Sequence, residues 1–471
     1  MNRHRTRALA ALGALSTMVS LTACNSAPSI DTTQSPTPTS TAAATEDPAA
    51  MGQPTFRTEP RCGTYSGKGC AAESERIDLE PPSFANPTKI TNPLFPIADL
   101  KSVVLLGVVD GRPFRSETTL LPGTGTVVVG GQAVEVLISQ YTAYLDGRIT
   151  EGAVDRYAQA DDGSVWYLGE DVYDYDGGTV VVSEGTWLAG RDGPPAMIMP
   201  ADPQIGQVFR PENIPGIVFE EVTVKEVGKT MDGPLGPVEG AIVGAELHLD
   251  GSISEKVFAP RYGEIYSAHE GDVEAASLAI SANRADGPEP VELAKMITGT
   301  WGLVESARLE DWEAVDATLD LIKDQWATVS KSDTPTRVAK AVDAALATLT
   351  KATATRKPGA ITQVAVPVAR SALDLELRYR SVVYVDLGRF HLHSQQLRID
   401  AAAGNADGVA AEVATLEWIR DRITGALTPE DLQRLDDDLA ELRSSASTGN
   451  LASAADQAAR LGNLVHTLSR P

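Results

Sequence analysis

The spacing of apolar and polar positions changes character along the chain. From about Lys89 to Arg284, short runs rich in Val, Ile, Tyr and Thr alternate with turn residues. Asp-Gly pairs begin at positions 110, 146, 162, 192, 232 and 250, several of them between such runs, as two-residue hairpin turns require. One run is especially regular: Val243, Ala245, Leu247 and Leu249 alternate with Gly244, Glu246, His248 and Asp250, just ahead of Asp250-Gly251. The alternation assigns the first set to a core and the second to solvent. No helix-length periodic segment interrupts these strands. The expectation is an antiparallel β meander of about ten strands, curved or closed into a barrel, over residues 89–286.

Near Asp286-Gly287-Pro288 the period switches to that of a helix. Trp312, Val315, Leu319, Ile322 and Trp326 form one apolar seam. Candidate helices are 289–307, 310–330, 334–354, 359–379, 381–402, 406–425, 429–446 and 450–468, separated by Thr334-Pro335, Lys357-Pro358-Gly359, Gly404-Asn405, Thr428-Pro429 and Gly449-Asn450. Asn405 and Asn450 are expected N-caps. Short connections imply antiparallel neighbours, so residues 287–471 are expected to form a helical bundle. The fold class is α+β in two domains, a β meander followed by an all-α bundle.

One predicted helix breaks the apolar pattern. In Tyr384 to Ala402, the residues Asp386, Arg389, His393, Gln396 and Asp400 share an arc of about 80° between two apolar flanks. Glu412 and Arg420 fall within the apolar arc of the next helix. Successive members of the stripe are three or four residues apart, so each touches the next. A hydrogen-bonded salt-bridge ladder is the expected account, because buried charges must be paired. The alternative is a divalent-metal site using Asp386, His393, Asp400 and Glu412, as carboxylates and histidines serve in di-iron bundles. Against it, the stripe's acids and histidine are seven residues apart, about 10 Å per step, and Arg389 competes for the carboxylates.

The N-terminus adds an address. Arg3, His4, Arg5 and Arg7 precede an apolar run from Ala8 to Leu21, and then comes Leu21-Thr22-Ala23-Cys24. This resembles the lipobox of bacterial lipoprotein signal peptides. The resemblance implies removal of residues 1–23, a diacylglyceryl group on the Cys24 sulfur, and attachment to the outer face of the cytoplasmic membrane; the plainer alternative is a secretory signal with a chance cysteine. Residues 24–60, rich in Ser, Thr, Pro and Ala, read as a disordered tether. Cys62 and Cys70 stand in RCGTYSGKGC within a lead-in spanning 61–88. A disulfide is expected there over a metal or redox pair, since no His or third Cys is near.

Composition narrows the function classes. The 471 residues carry 40 Lys and Arg against 64 Asp and Glu, a formal charge of −24. That excess disfavours nucleic acid and anionic headgroups as partners, leaving the lipid anchor as the expected membrane contact. No later stretch reaches the roughly 18 apolar residues of a membrane span.

Motifs for chemistry are scarce. Gly123-Thr124-Gly125 lacks a third glycine and a following helix, and Asp174, Asp176 and Gly177 echo only part of a calcium loop. His248 and His269 read as solvated strand histidines, and no nucleophile elbow or His-Glu-x-x-His occurs. Trp166, Tyr167, Tyr173, Tyr175 and Trp187 concentrate aromatics near Met197, Ile198 and Met199, as either core or a face for an apolar ligand. The stretches at 162–175 and 194–209 resemble an uncharacterised class of secreted actinobacterial proteins, a resemblance that implies no activity. In outline, a curved sheet on a lipid anchor is similar to envelope lipoproteins that carry lipids. Imelysin-like envelope proteins are helical and metal-associated, but their Gly-x-His-x-x-Glu motif is missing.

The expectation is a non-enzymatic binding or scaffold module that meets an apolar ligand or an envelope protein and carries no cofactor. A metal-binding bundle is the alternative. A hydrolase assembled from residues distant in sequence stays open.

Overall fold

The computed structural model describes residues 70–467, with side chains over 70–465. The expected signal peptide, Cys24, the tether and Cys62 lie outside the described residues, and with them the lipidation site and one half of the expected Cys62–Cys70 bridge.

The first part of the chain forms one antiparallel sheet of fourteen strands. They are β1 (Ser102–Val109), β2 (Arg112–Val129), β3 (Gln132–Leu145), β4 (Arg148–Gln159), β5 (Val165–Asp176), β6 (Thr179–Val182), β7 (Trp187–Leu188), β8 (Ala196–Met199), β9 (Val208–Ile214), β10 (Val218–Gly233), β11 (Gly236–His248), β12 (Ile253–Ala259), β13 (Gly263–His269) and β14 (Asp272–Ile280). About ten strands were expected. The excess comes partly from β6, β7 and β8, whose two to four residues are too short for alternation to register.

Neighbours in sequence are neighbours in the sheet from β6 back to β1 and from β14 back to β9, and β1 pairs with β14 in the middle. The sheet curls without closing. β8 pairs with β5 and lies beside β9, so the two ends approach across a shared interior. One apolar core accordingly unites Tyr157, Tyr167, Trp187 and Ile198 with Phe209, Val222, Ile242 and Phe258. The lead-in covers the β9 edge, where Ile77 N–H donates to Val208 O at 3.0 Å and Ala71 N–H to Glu221 Oε1 at 2.8 Å.

Two readings of this part need correction. The hairpin joining β10 to β11 turns over Pro234-Leu235, since Gly233 pairs with Gly236, and Asp232-Gly233 belongs to the strand. More consequentially, Glu246 and His248 do not face solvent. Both are buried, at 3% and 5% exposure, while Ala245 and Leu247 on the other face are only half-buried. Curling turns that polar face inward, toward the opposite wall.

The remainder is helical: α1 (Val291–Arg308), α2 (Trp312–Val329), α3 (Thr336–Thr353), α4 (Pro358–Glu376), α5 (Val382–Ala402), α6 (Ala406–Ile423), α7 (Pro429–Ser447) and α8 (Leu451–Thr467). All eight agree with the periodicity to within one turn, because turn residues separate them and a capping side chain marks the start of α2, α5, α6, α7 and α8. Asn405 Oδ1 accepts from Gly408 N–H at 3.0 Å and Asn450 Oδ1 from Ser453 N–H at 3.2 Å. Helices α1 to α4 share one apolar core and α5 to α8 another.

The helices seal the outer face of the sheet. Val366, Ala369, Leu373, Val385 and Leu392 of α4 and α5 meet Val104, Leu278 and Ile280 of β1 and β14. Trp418 of α6 is fully buried against β4 and donates its Nε1–H to the Tyr175 hydroxyl at 2.8 Å. Only glycine fits beneath it: a Cβ on Gly152 would stand 2.3 Å from indole Cζ2. Gly152→Ala should therefore destabilise the protein by about 1–3 kcal/mol, the usual cost of overpacking. Thermal unfolding followed by tryptophan fluorescence checks it; an unchanged melting temperature would mean the seam is looser than drawn.

Candidate functional site

Two clusters of buried charge lie on opposite faces of the sheet. The outer one contains the polar stripe of α5. Arg115 on β2 donates from Nη1 and Nη2 to the two oxygens of Asp374 on α4, both at 2.7 Å, and from Nε to Glu117 at 2.9 Å. Arg389 reaches Asp374 at 2.9 Å and Asp386 at 3.0 Å. Arg422 on α6 donates to Glu117 at 2.6 Å, Gln140 at 2.5 Å and Thr142 at 2.7 Å. Arg148 clasps Asp400 through two bonds of 2.5 and 2.7 Å and reaches Glu412 at 2.8 Å. His393 Nδ1 lies 2.6 Å from the other Glu412 oxygen, and Gln396 donates to Asp400 at 3.1 Å.

This network is balanced. Arg115, Arg148, Arg370, Arg389 and Arg422 stand against Glu117, Asp374, Asp386, Asp400 and Glu412. Burial alone would raise the Glu117 carboxyl, but Arg389, Arg115 and Arg422 hold it well below the usual carboxylate range. Asp374 is likewise lowered, Arg115 and Arg389 outweighing burial. Asp386 goes the other way, burial outweighing Arg389 and Arg422.

The expected ladder members Asp386, Arg389, His393, Gln396, Asp400 and Glu412 are all buried here. Arg420 is not one of them. It turns outward, donating to Asp436 of α7 at 2.7 Å and to Asp421 at 2.8 Å, and Arg422 takes the interior place. Helix α6 is covered on more than one side, by the α5–α8 core and by the sheet, so a single apolar arc misassigned its polar residues. The alternative metal set is not assembled either. Asp386 belongs to Arg389, while Asp400 and Glu412 share Arg148.

The inner cluster is unbalanced. Glu151, Asp155, Glu170, Glu212, Glu220, Glu246 and Glu274 are buried inside the curl, with Glu264 nearly so. The cations among them are Lys256 and His248. Lys256 Nζ stands 3.5 Å from Glu264 and 3.8 Å from Glu246; these acids, with Glu220 and Glu274, outweigh burial and raise its pKa. Burial pushes Asp155 up to about 7 although Tyr167 and Ser139 donate to it at 2.7 and 3.2 Å. Burial, reinforced by Glu264, pushes Glu274 up to about 8. Burial and the facing Glu212 raise Glu170 well above its ordinary value.

Within this cluster, Glu220, Glu246 and His248 can place one ligand atom each within 4.8 Å of one another, the one such group among the described residues. Sequence reading missed it because alternation cannot say which face of a curled sheet is wet. A small cavity of about 60 Å³ lies between segment 95–100 and the Tyr262-Gly263 turn. Its lining includes Phe95, Ile97, Leu100, Leu105 and Phe258, with polar groups from Thr118, Ser139, Tyr157 and Glu264.

No family model matches this chain, and no curated protein does. Among the described residues no helix is long and apolar enough to cross a membrane.

Removing one partner from the balanced network leaves an uncompensated buried charge, so Arg422→Met should cost about 3–5 kcal/mol. Arg420→Met breaks a half-buried pair outside this network and should cost less than Arg422→Met. Urea unfolding midpoints of the two variants check the contrast. The inner acids also give stability a sign with pH. Asp155 and Glu274 hold their protons in the folded state up to about 7 and 8, whereas unfolded carboxyls release them in the ordinary range near 4. Their contribution is full below the ordinary range and is lost as pH rises through 7 to 8. The urea midpoint should fall across that window, and Glu274→Gln should flatten the fall.

Proposed function

We propose that the protein is a lipid-anchored module of the cell envelope that binds a small ligand inside its curled sheet, with the helical region as scaffold and no catalytic step of its own. The observation that carries this reading is the cavity beside segment 95–100, lined mostly by apolar side chains with Ser139, Tyr157 and Glu264 among them. Apolar walls with a few convergent polar groups are the usual construction of a small-molecule site. The matching ligand has an apolar body and a hydrogen-bond-donating or cationic group, because the Glu264 carboxyl is part of the lining. A rigid surround favours such a site: the helices lock the outer face through the balanced charge network, so the walls are held by packing on both sides.

The address is the second half of the proposal. The lipobox-like Leu21-Thr22-Ala23-Cys24 and the Ser/Thr/Pro-rich segment after it support an anchor and a tether that let the domain stand off the membrane. Cys24→Ser should move the chain from the membrane fraction to the soluble fraction.

Binding is tested by native mass spectrometry of the full chain drawn from its envelope in mild detergent, compared with its mass after denaturation. The expected result is an excess of one small organic molecule, absent from Leu100→Trp, which fills the cavity. An organic excess that survives in Leu100→Trp, or no excess from the native envelope, would remove this reading.

A further inference from the structure

The inner acids hold a site of a different kind. Glu220 of β10 and His248 of β11 are directly paired across the two strands, and Glu246 lies two residues along the same face. Ser254 of β12 pairs with Glu246 from the other side. The register thus projects two carboxylates, an imidazole and a hydroxyl into one small volume.

The hydrogen bonds leave this group incomplete. His248 Nε2 lies 2.7 Å from Ser254 Oγ, while Nδ1 faces Glu220 Oε1 at 3.3 Å. Glu220 Oε2 and Glu246 Oε2 are buried with no hydrogen-bond partner, on residues only 4% and 3% exposed. Glu246 Oε2 stands 3.6 Å from His248 Nε2 and 3.8 Å from Lys256 Nζ, beyond hydrogen-bond reach of either. Buried carboxylate oxygens without hydrogen-bond partners are costly, and the cationic groups beside them are the His248 ring, which also holds Ser254, and Lys256, which lies closer to Glu264. Glu220, Glu246 and His248 thus converge on one another with carboxylate oxygens left unpartnered.

We propose that Glu220, Glu246 and His248 bind one divalent transition-metal ion of the zinc class inside the curled sheet. An imidazole with two carboxylates suits zinc and its first-row neighbours and disfavours calcium and magnesium, which take oxygen ligands. His248 binds through Nδ1, and its Nε2–H donates to Ser254 Oγ, the outer contact that orients a ligating histidine. One dipositive ion cancels the charge of Glu220 and Glu246. The imidazole is then neutral, Lys256 is left to Glu264, and water completes the coordination. The site is separate from the apolar cavity, so it stands whether or not an organic ligand binds there.

The test uses the full chain, stripped with chelator, dialysed and titrated with Zn²⁺ alone. Bound ion is counted by native mass spectrometry, and Co²⁺ is substituted for its visible ligand-field bands. One zinc per chain is expected. Glu246→Gln and His248→Ala should lose it, Ser254→Ala should weaken it about 10–100-fold, and His269→Ala should leave it intact. Near-UV circular dichroism establishes that each variant is folded; if His248→Ala is not, Glu246→Gln and Ser254→Ala decide. No stoichiometric zinc in the parent, or uptake unchanged in folded Glu246→Gln and Ser254→Ala, overturns the proposal. Zinc uptake without an organic mass excess upholds this site and removes the cavity reading; the reverse result does the opposite.

Discussion

Ionisable side chains are buried on both faces of one curled sheet, and the two faces meet that cost differently. On the outer face, Arg115, Arg389 and Arg422 lock Glu117, Asp374 and Asp386 into a hydrogen-bonded lattice between β2, α4, α5 and α6. A buried ion pair often adds little net stability over an apolar contact of the same shape, because desolvation offsets attraction. Its stronger effect is geometric: a charge buried without its partner is so unfavourable that other placements of the helices are excluded. The apolar contacts of Val366, Leu373 and Val385 on β1 and β14 supply adhesion, and the arginines fix the register of that adhesion.

The inner face has no such closure. Its carboxyls outnumber Lys256 and His248, and burial answers by keeping Asp155, Glu212 and Glu274 protonated into the neutral range. The same helices that stabilise the outer face also close the outer wall of a low-dielectric chamber lined with acid. A chamber of that kind favours an occupant carrying positive charge, whether the cationic end of a small molecule or a metal ion. The proposed ligand pocket and the proposed metal site are two expressions of this one electrostatic imbalance.

The helical region then reads as a buttress. The ions of its buried stripe are paired among themselves and with the sheet, as Arg148 shows by holding Asp400 and Glu412 together from β4. Most of the buried polar groups of this interface are partnered, Asp386 Oδ2 and Arg389 Nε being exceptions. Strong burial of acids and histidines is therefore a sign of a ligand site only where the charges fail to balance.

Much was legible in the residues alone. Period and turn residues placed all eight helices, since a helix is closed by local hydrogen bonds and several of its starts by nearby side chains such as Asn405 and Asn450. Alternation and turn residues established an antiparallel sheet, and the mid-core stripe of α5 was visible because its apolar flanks are local too. What the residues could not decide was sidedness. A strand presents two faces whatever surrounds it, so Glu246 and His248 looked wet until the curl brought β5 and β8 around toward β9. Arg420 and Arg422 are two residues apart on one helix, and only the positions of α7 and of the sheet decide which joins the interior network. Local structure follows from interactions a few residues apart; which polar face is sealed from water depends on contacts among segments far apart in sequence, and those only the tertiary fold makes.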